Sequence, residues 1–308
     1  MDAIADRTAH RRALATMVLV TLMWSTAGVV TRWLSPQMQT EGRFEITFWR
    51  ALFAAVFIAG YLAWSGRGVR ALRDSGGPGL LSGAMWAVMF GAFMLALSLT
   101  STANTLLVMS LGPLATALLA RLLLKTPIPA RTWAAIAAAG VGIAWMFAHA
   151  AGMGDGGALG GTHLIGMLIA FAVPLASAIN LVTLKMTRAQ VDLVPAVLIG
   201  GVLCALATLP FALPLQAGWR DIGLLALLGF FQLGVPCMLM IRASRHLTAP
   251  EIALLAQLEV LLGPLWAWIG AGEVPAGATL FGGALVLVAL VFNELAGMRA
   301  SRRTVPAG

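Results

Sequence analysis

Ten apolar stretches of about twenty residues follow one another along this 308-residue chain, and that repetition leaves few folds open. Their limits are 14–33, 45–65, 79–99, 103–124, 131–149, 162–184, 193–213, 221–241, 249–269 and 277–297. Each is long enough to cross a bilayer as a helix, the form in which a single segment satisfies its own backbone hydrogen bonds in hydrocarbon. The chain is 60% hydrophobic and 10% charged, against about 25% charged in a soluble domain, so it lacks the polar groups to coat a water-facing surface. The expectation is an all-α integral membrane protein with ten transmembrane helices. The breaks carry turn chemistry: Ser35-Pro36, Gly76-Gly77-Pro78-Gly79, Pro127-Ile128-Pro129 and the glycine-rich stretch Gly152–Gly161. The first run follows arginines, as in a signal peptide, but nine more runs come after it and it reads as a retained span.

Net charge of +8 would suggest nucleic acid if the cations formed one patch. They are instead scattered in small clusters, which excludes a nucleic-acid partner and reports topology. With the N-terminus in the cytoplasm, all of the 20 Lys and Arg except Arg32, Arg43, Arg50 and Arg220 fall on the inner side. Both termini are therefore expected inside the inner (plasma) membrane, in a multi-pass protein. Gly152–Gly161 separates five spans from five, so any internal repeat must be inverted, an arrangement typical of secondary transporters. An offset of 147 residues pairs Asn104 with Glu251 and Ser110 with Gln257. Cys204 and Cys237 lie within apolar runs and are expected as buried thiols. His10, His149, His163 and His246 sit near span ends, no cluster has metal-ligand spacing, and no nucleotide-binding GxxxxGK[ST] occurs, so no cofactor or metal is expected.

Several short motifs resemble EamA-type transporters of the drug/metabolite transporter superfamily. They are Met23-Trp24-Ser25, Phe48-Trp49-Arg50, Ala96-Leu97 and Gly112-Pro113-Leu114 in the first half, with Leu258-Glu259-Val260 and Gly272-Glu273 in the second. The resemblance covers two repeats, roughly 14–148 and 162–296. Val260 stands where the family usually has proline, and Thr126 where the first repeat usually has glutamate. The resemblance implies two inverted five-helix repeats around a central substrate cavity, commonly used for metabolite export.

The candidate site starts from Glu259, about ten residues into span nine, where an ionisable group costs roughly 2.5–3.5 kcal/mol to insert. It reads as a cavity carboxylate that binds a cation or exchanges a proton, or as a packing carboxyl hydrogen-bonded to a neighbouring span. Glu251 shares its broad face, eight residues or about 80° away, but follows Pro250 at a helix start, where acids favour the dipole. Gln257 points about 200° from Glu259. Asn104 reads as cavity lining or as a helix cap. Asn180 and Gln232 are buried amides suited to substrate contact or to cross-helix bonding. Arg50 reads as a cation that snorkels to the outer headgroups, as a structural or gating residue by its place in the motif, or as a substrate contact, with Glu45 badly spaced to pair with it on a helix. Trp24 is a candidate aromatic wall, while Trp266 and Trp268 read as interfacial anchors. The small-residue runs Ala134–Gly142 and Gly282-Gly283 suit helix packing or a dimer contact.

The function expected is a secondary transporter exporting a small amino-acid-like, nucleoside-like or amphipathic metabolite by alternating access, with a proton as the candidate coupling ion. The alternative keeps the fold and moves a lipid or lipid-linked sugar. An intramembrane enzyme is disfavoured because no histidine lies mid-span to complete a catalytic set. A receptor would want a soluble signalling domain. Expected partners are the substrate and the bilayer, with the chain as monomer or homodimer.

Overall fold

In the computed structural model, the described residues are 2–66, 68–125, 128–150, 161–186, 194–244, 246–247 and 249–303. Ten helical stretches long and apolar enough to cross a membrane run through them: Thr8–Arg32, Arg43–Trp64, Arg70–Leu99, Thr102–Leu123, Ala130–His149, Gly161–Thr183, Val194–Ala212, Trp219–Ala243, Leu254–Ala271 and Gly277–Gly297. These are spans one to ten, and the protein is a multi-pass membrane protein. Large apolar side chains such as Val141, Leu206, Phe211, Phe281 and Phe292 stand exposed around the bundle, as a hydrocarbon solvent allows.

Packing follows the inverted repeat. Span one lies against spans nine and eight, and its counterpart, span six, lies against spans four and three. Span two packs on span seven and span five on span ten, pairs that map onto themselves when the halves exchange. The five–ten crossing explains two of the small-residue runs. A Cβ on Gly142 would stand 2.6 Å from the Gly282 carbonyl oxygen, and one on Gly282 would stand 2.6 Å from that of Gly142. The backbones touch there, so these glycines are used inside the chain.

Several spans are interrupted. Span one breaks between helices Asp2–Ser25 and Ala27–Arg32, span four between Thr102–Met109 and Gly112–Leu124, and span six at Phe171 between Gly161–Ala170 and Ala172–Met186. Span eight carries a π-helical stretch, Leu228–Gly234. Prolines 113, 174 and 236 follow three of these breaks within three residues, each removing a backbone donor from the ladder. Phe171 is the 147-residue counterpart of Trp24, so the breaks of spans one and six are repeat-related.

Polar clasps tie the span ends. On the side opposite the termini, Gly272 turns the chain left-handed (φ 68°) after span nine. The Gly272 N–H bonds the Trp268 carbonyl at 3.0 Å, a five-to-one C-terminal cap, and the Glu273 N–H then returns to the Ala267 carbonyl at 3.1 Å. This turn aims the Glu273 carboxylate at the start of span four, where it accepts from the Thr102 N–H at 2.5 Å and hydroxyl at 3.0 Å, and at Arg32 Nε at 2.8 Å. Beside it, Glu45 accepts from the backbone N–H groups of Gln216 and Ala217, both at 2.9 Å, and Asp221 accepts from Ser35 N–H and hydroxyl at 2.9 and 2.7 Å.

Candidate functional site

The least exposed charged residue among those described is Arg50, on span two about 10 Å from the helix start at 1.5 Å per residue. It is only 2% exposed. The snorkelling alternative does not hold: the guanidinium turns inward, because span eight offers it an acceptor. Gln232 Oε1 accepts from Arg50 Nη2 at 2.6 Å and from Nε at 3.1 Å.

Two local features bring that amide within reach. Spans two and eight meet at Gly229, where a Cβ would lie 2.4 Å from Phe53 Cβ and 2.9 Å from the Arg50 carbonyl oxygen. Gln232 stands in the widened π turns just beyond. Its Nε2 donates to the Trp24 carbonyl at 3.0 Å. That carbonyl lies at the end of helix Asp2–Ser25, where the last carbonyls lack ordinary helical partners. Its neighbours Leu22 and Met23 accept instead from the Ser25 and Thr26 hydroxyls at 2.8 and 2.7 Å.

The remaining surroundings of Arg50 are soft. Its Cζ lies 5.2 Å from the Phe93 ring centroid on span three, a cation–π contact. Cys204 and Cys237 are close enough to feel its charge, as is Glu259, which reaches in from span nine and is partly buried. No carboxylate lies within ion-pair distance (4.0 Å) of Arg50 among the described residues, and Glu259 makes no hydrogen bond among them. A buried guanidinium thus has an amide, a ring and a distant counter-charge. In a low-dielectric interior such an arrangement favours any anionic group that can enter beside it. The Glu259 carboxyl favours a cationic or hydrogen-bond-donating one.

Of the residues singled out in the sequence, four converge here: Trp24, Arg50, Gln232 and Glu259. Three lie elsewhere. Glu251 faces His10 at 3.2 Å, at the termini end of spans nine and one. Asn180 accepts from the Ser82 hydroxyl at 2.7 Å, joining spans six and three. Asn104 does not cap its helix; Ser101 does, accepting from the Asn104 N–H at 3.1 Å. The Asn104 side chain bonds Thr100 at 3.1 Å and Thr279 at 2.8 Å, both buried contacts. Gln257 is 5% exposed and its Oε1 has no partner among the described residues. Trp266, expected at the interface, is partly buried and donates to the Ser25 hydroxyl at 3.0 Å. Trp268 remains 53% exposed, as an anchor would be. Phe93 and Gly229 were not singled out in the sequence, and only a contact map across spans could have found them.

A family profile described as the EamA-like transporter family matches residues 11–148 and 164–294. No curated protein matches the chain. A solved crystal structure shares 19% identity over 96% of this chain and 99% of its own, with a TM-score of 0.64, a likeness of fold alone.

Proposed function

The chain belongs to the EamA-like transporter family, and we propose that it is a secondary transporter that exports a small metabolite across the cytoplasmic membrane by alternating access. One observation carries the reading. The Arg50 guanidinium, from the first repeat, and the Glu259 carboxyl, from the second, lie within the bundle close enough to interact and with no ion pair between them. Broken helices next to such a site are a recurrent transporter device. Arg50, held in place by Gln232 and the Trp24 carbonyl, takes the anionic or acceptor end of the cargo. Glu259 takes the cationic or donor end, or a coupling proton. The scatter of arginines and lysines supports cytoplasmic termini. The flippase alternative is not favoured by the family match.

The test compares metabolites in spent medium from cells overproducing wild type, Glu259→Gln and Arg50→Met, with membrane levels equalised. The expected result is one compound class enriched by wild type alone. Equal enrichment from all three proteins would remove both residues from the site. Enrichment by none of them would overturn export.

A further inference from the structure

The inverted repeat sorts the clasps at the two membrane faces into those that occur on both and those that occur on one. Of the first kind, His10 meets Glu251 at the termini face, while on the opposite face His163 Nδ1 lies 3.3 Å from the Thr100 hydroxyl, which accepts from Asn104. Asn104 is the 147-residue counterpart of Glu251, so span pairs one–nine and six–four are fastened alike. Contacts repeated on both faces belong to the scaffold. Contacts made on one face alone mark the state.

The second kind is clearest in a motif that occurs twice. Arg73-Asp74-Ser75-Gly76 enters span three and Arg220-Asp221-Ile222-Gly223 enters span eight, offset by 147 residues and on opposite faces. Asp221 is 4% exposed and holds Ser35 by two bonds. Asp74 is exposed and has no partner among the described residues. One motif in one register thus meets opposite fates. Glu45 and Glu273 reinforce Asp221 on its face, each holding backbone N–H groups of another span or loop. Their 147-residue counterparts, Asp192 and Thr126, lie outside the described residues, and Thr126 carries no charge to form such a clasp.

We propose that Asp221, Glu45 and Glu273 are the lock of the outer face, engaged in the state seen here, and that Asp74 is the lock residue of the inner face, released in this state. The assignment rests on the alternating-access reading above. Its physical basis is that a carboxylate accepting two backbone or hydroxyl donors forms strong, charge-assisted bonds. Breaking them on one face while forming them on the other keeps the two states near balance. The set of clasps is uneven by sequence, three carboxylates against Asp74 and Asp192, which biases the protein toward the outer-closed state.

The lock can be read without knowing the cargo. Leu97 is fully buried on span three, one turn from Phe93 and one turn from Thr100, between the site and the outer clasps. Leu97→Cys in the full-length protein, reconstituted in vesicles, would be labelled by a membrane-impermeant maleimide added to the outer face, with the parent chain giving the background of its two buried cysteines. Labelling should be slow in Leu97→Cys alone and rise at least about tenfold when Asp221→Asn or Glu273→Gln is added, the energetic equivalent of about 1.4 kcal/mol. Ser35→Ala, which keeps the carboxylate, should give an intermediate rise. Asp74→Asn should not accelerate labelling. Unchanged labelling in Asp221→Asn, or an equal rise in Asp74→Asn, overturns the lock. If the labelling shifts appear while no metabolite is exported, the lock stands and the export reading fails. If export occurs while labelling stays unshifted, the exporter stands and the lock fails.

Discussion

Arg32, at the outer end of span one, and Arg50, within span two, are both arginines held by other spans, yet their surroundings differ in kind. Arg32 meets the Glu273 carboxylate at 2.8 Å and the Thr100 carbonyl at 3.1 Å, so its charge is answered on the spot. Arg50 is more deeply buried and receives only the neutral Gln232, with Phe93 against its face and Glu259 at a remove. The first pair fastens spans; its partners leave nothing for a ligand to add. The second leaves an electrostatic demand unmet. Buried charges retained without a close partner are expensive, and in membrane proteins they mark pathways more often than fastenings.

Substitutions can break this contrast, and the largest effect is expected at Arg50. Arg50→Met should lower transport on the order of a hundredfold, the scale of truncating one member of a buried charge contact with a ligand. It should leave thermal stability unchanged or higher, because an unpaired buried charge has been removed. Loss of both stability and transport would make Arg50 a fastening like Arg32. Next, Gln232→Glu would give Arg50 an anion of its own and turn the second setting into the first. Transport should fall about tenfold while the melting temperature rises, a pair of outcomes that thermal unfolding of detergent-solubilised protein and a cargo assay can separate. Arg32→Met should do the opposite, with stability lowered by about 2 kcal/mol, the value of a hydrogen bond to a charged group, and the cargo KM unchanged. The smallest effect belongs to Phe93→Leu. Loss of a cation–π contact of about 1 kcal/mol should raise the cargo KM about fivefold without altering the fold.

The spans were legible because length and apolarity act locally, and each predicted run lies on one of the ten helical stretches. The positions of the helix breaks were only partly legible. Pro113, Pro174 and Pro236 announce three of them, but the break after Ser25 has no proline. There the Ser25 and Thr26 hydroxyls bond back to the helix carbonyls, a competition that leaves little trace in sequence. Glu259 could be picked out alone, as a carboxylate within an apolar run. Arg50 could not be placed, since its acceptor stands 182 residues away and the approach depends on a glycine in another span. Trp266 failed for the same reason: its depth along the helix suited an anchor, but its partner on span one was invisible.

The Arg50–Gln232 contact also breaks the symmetry that built the protein. At the offset of 147 residues, Arg50 corresponds to Val197, Gln232 to Met85 and Glu259 to Gly112. A strict duplication would have placed like groups on both repeats; here the guanidinium stands on the first and the carboxyl on the second, each matched in the other repeat by a residue without a polar side chain. A cargo with identical ends would satisfy only half of the proposed site. For the site proposed above the consequence is a handedness: a cargo would meet the guanidinium at one end and the carboxyl at the other, and would board head first or tail first, the same way each time.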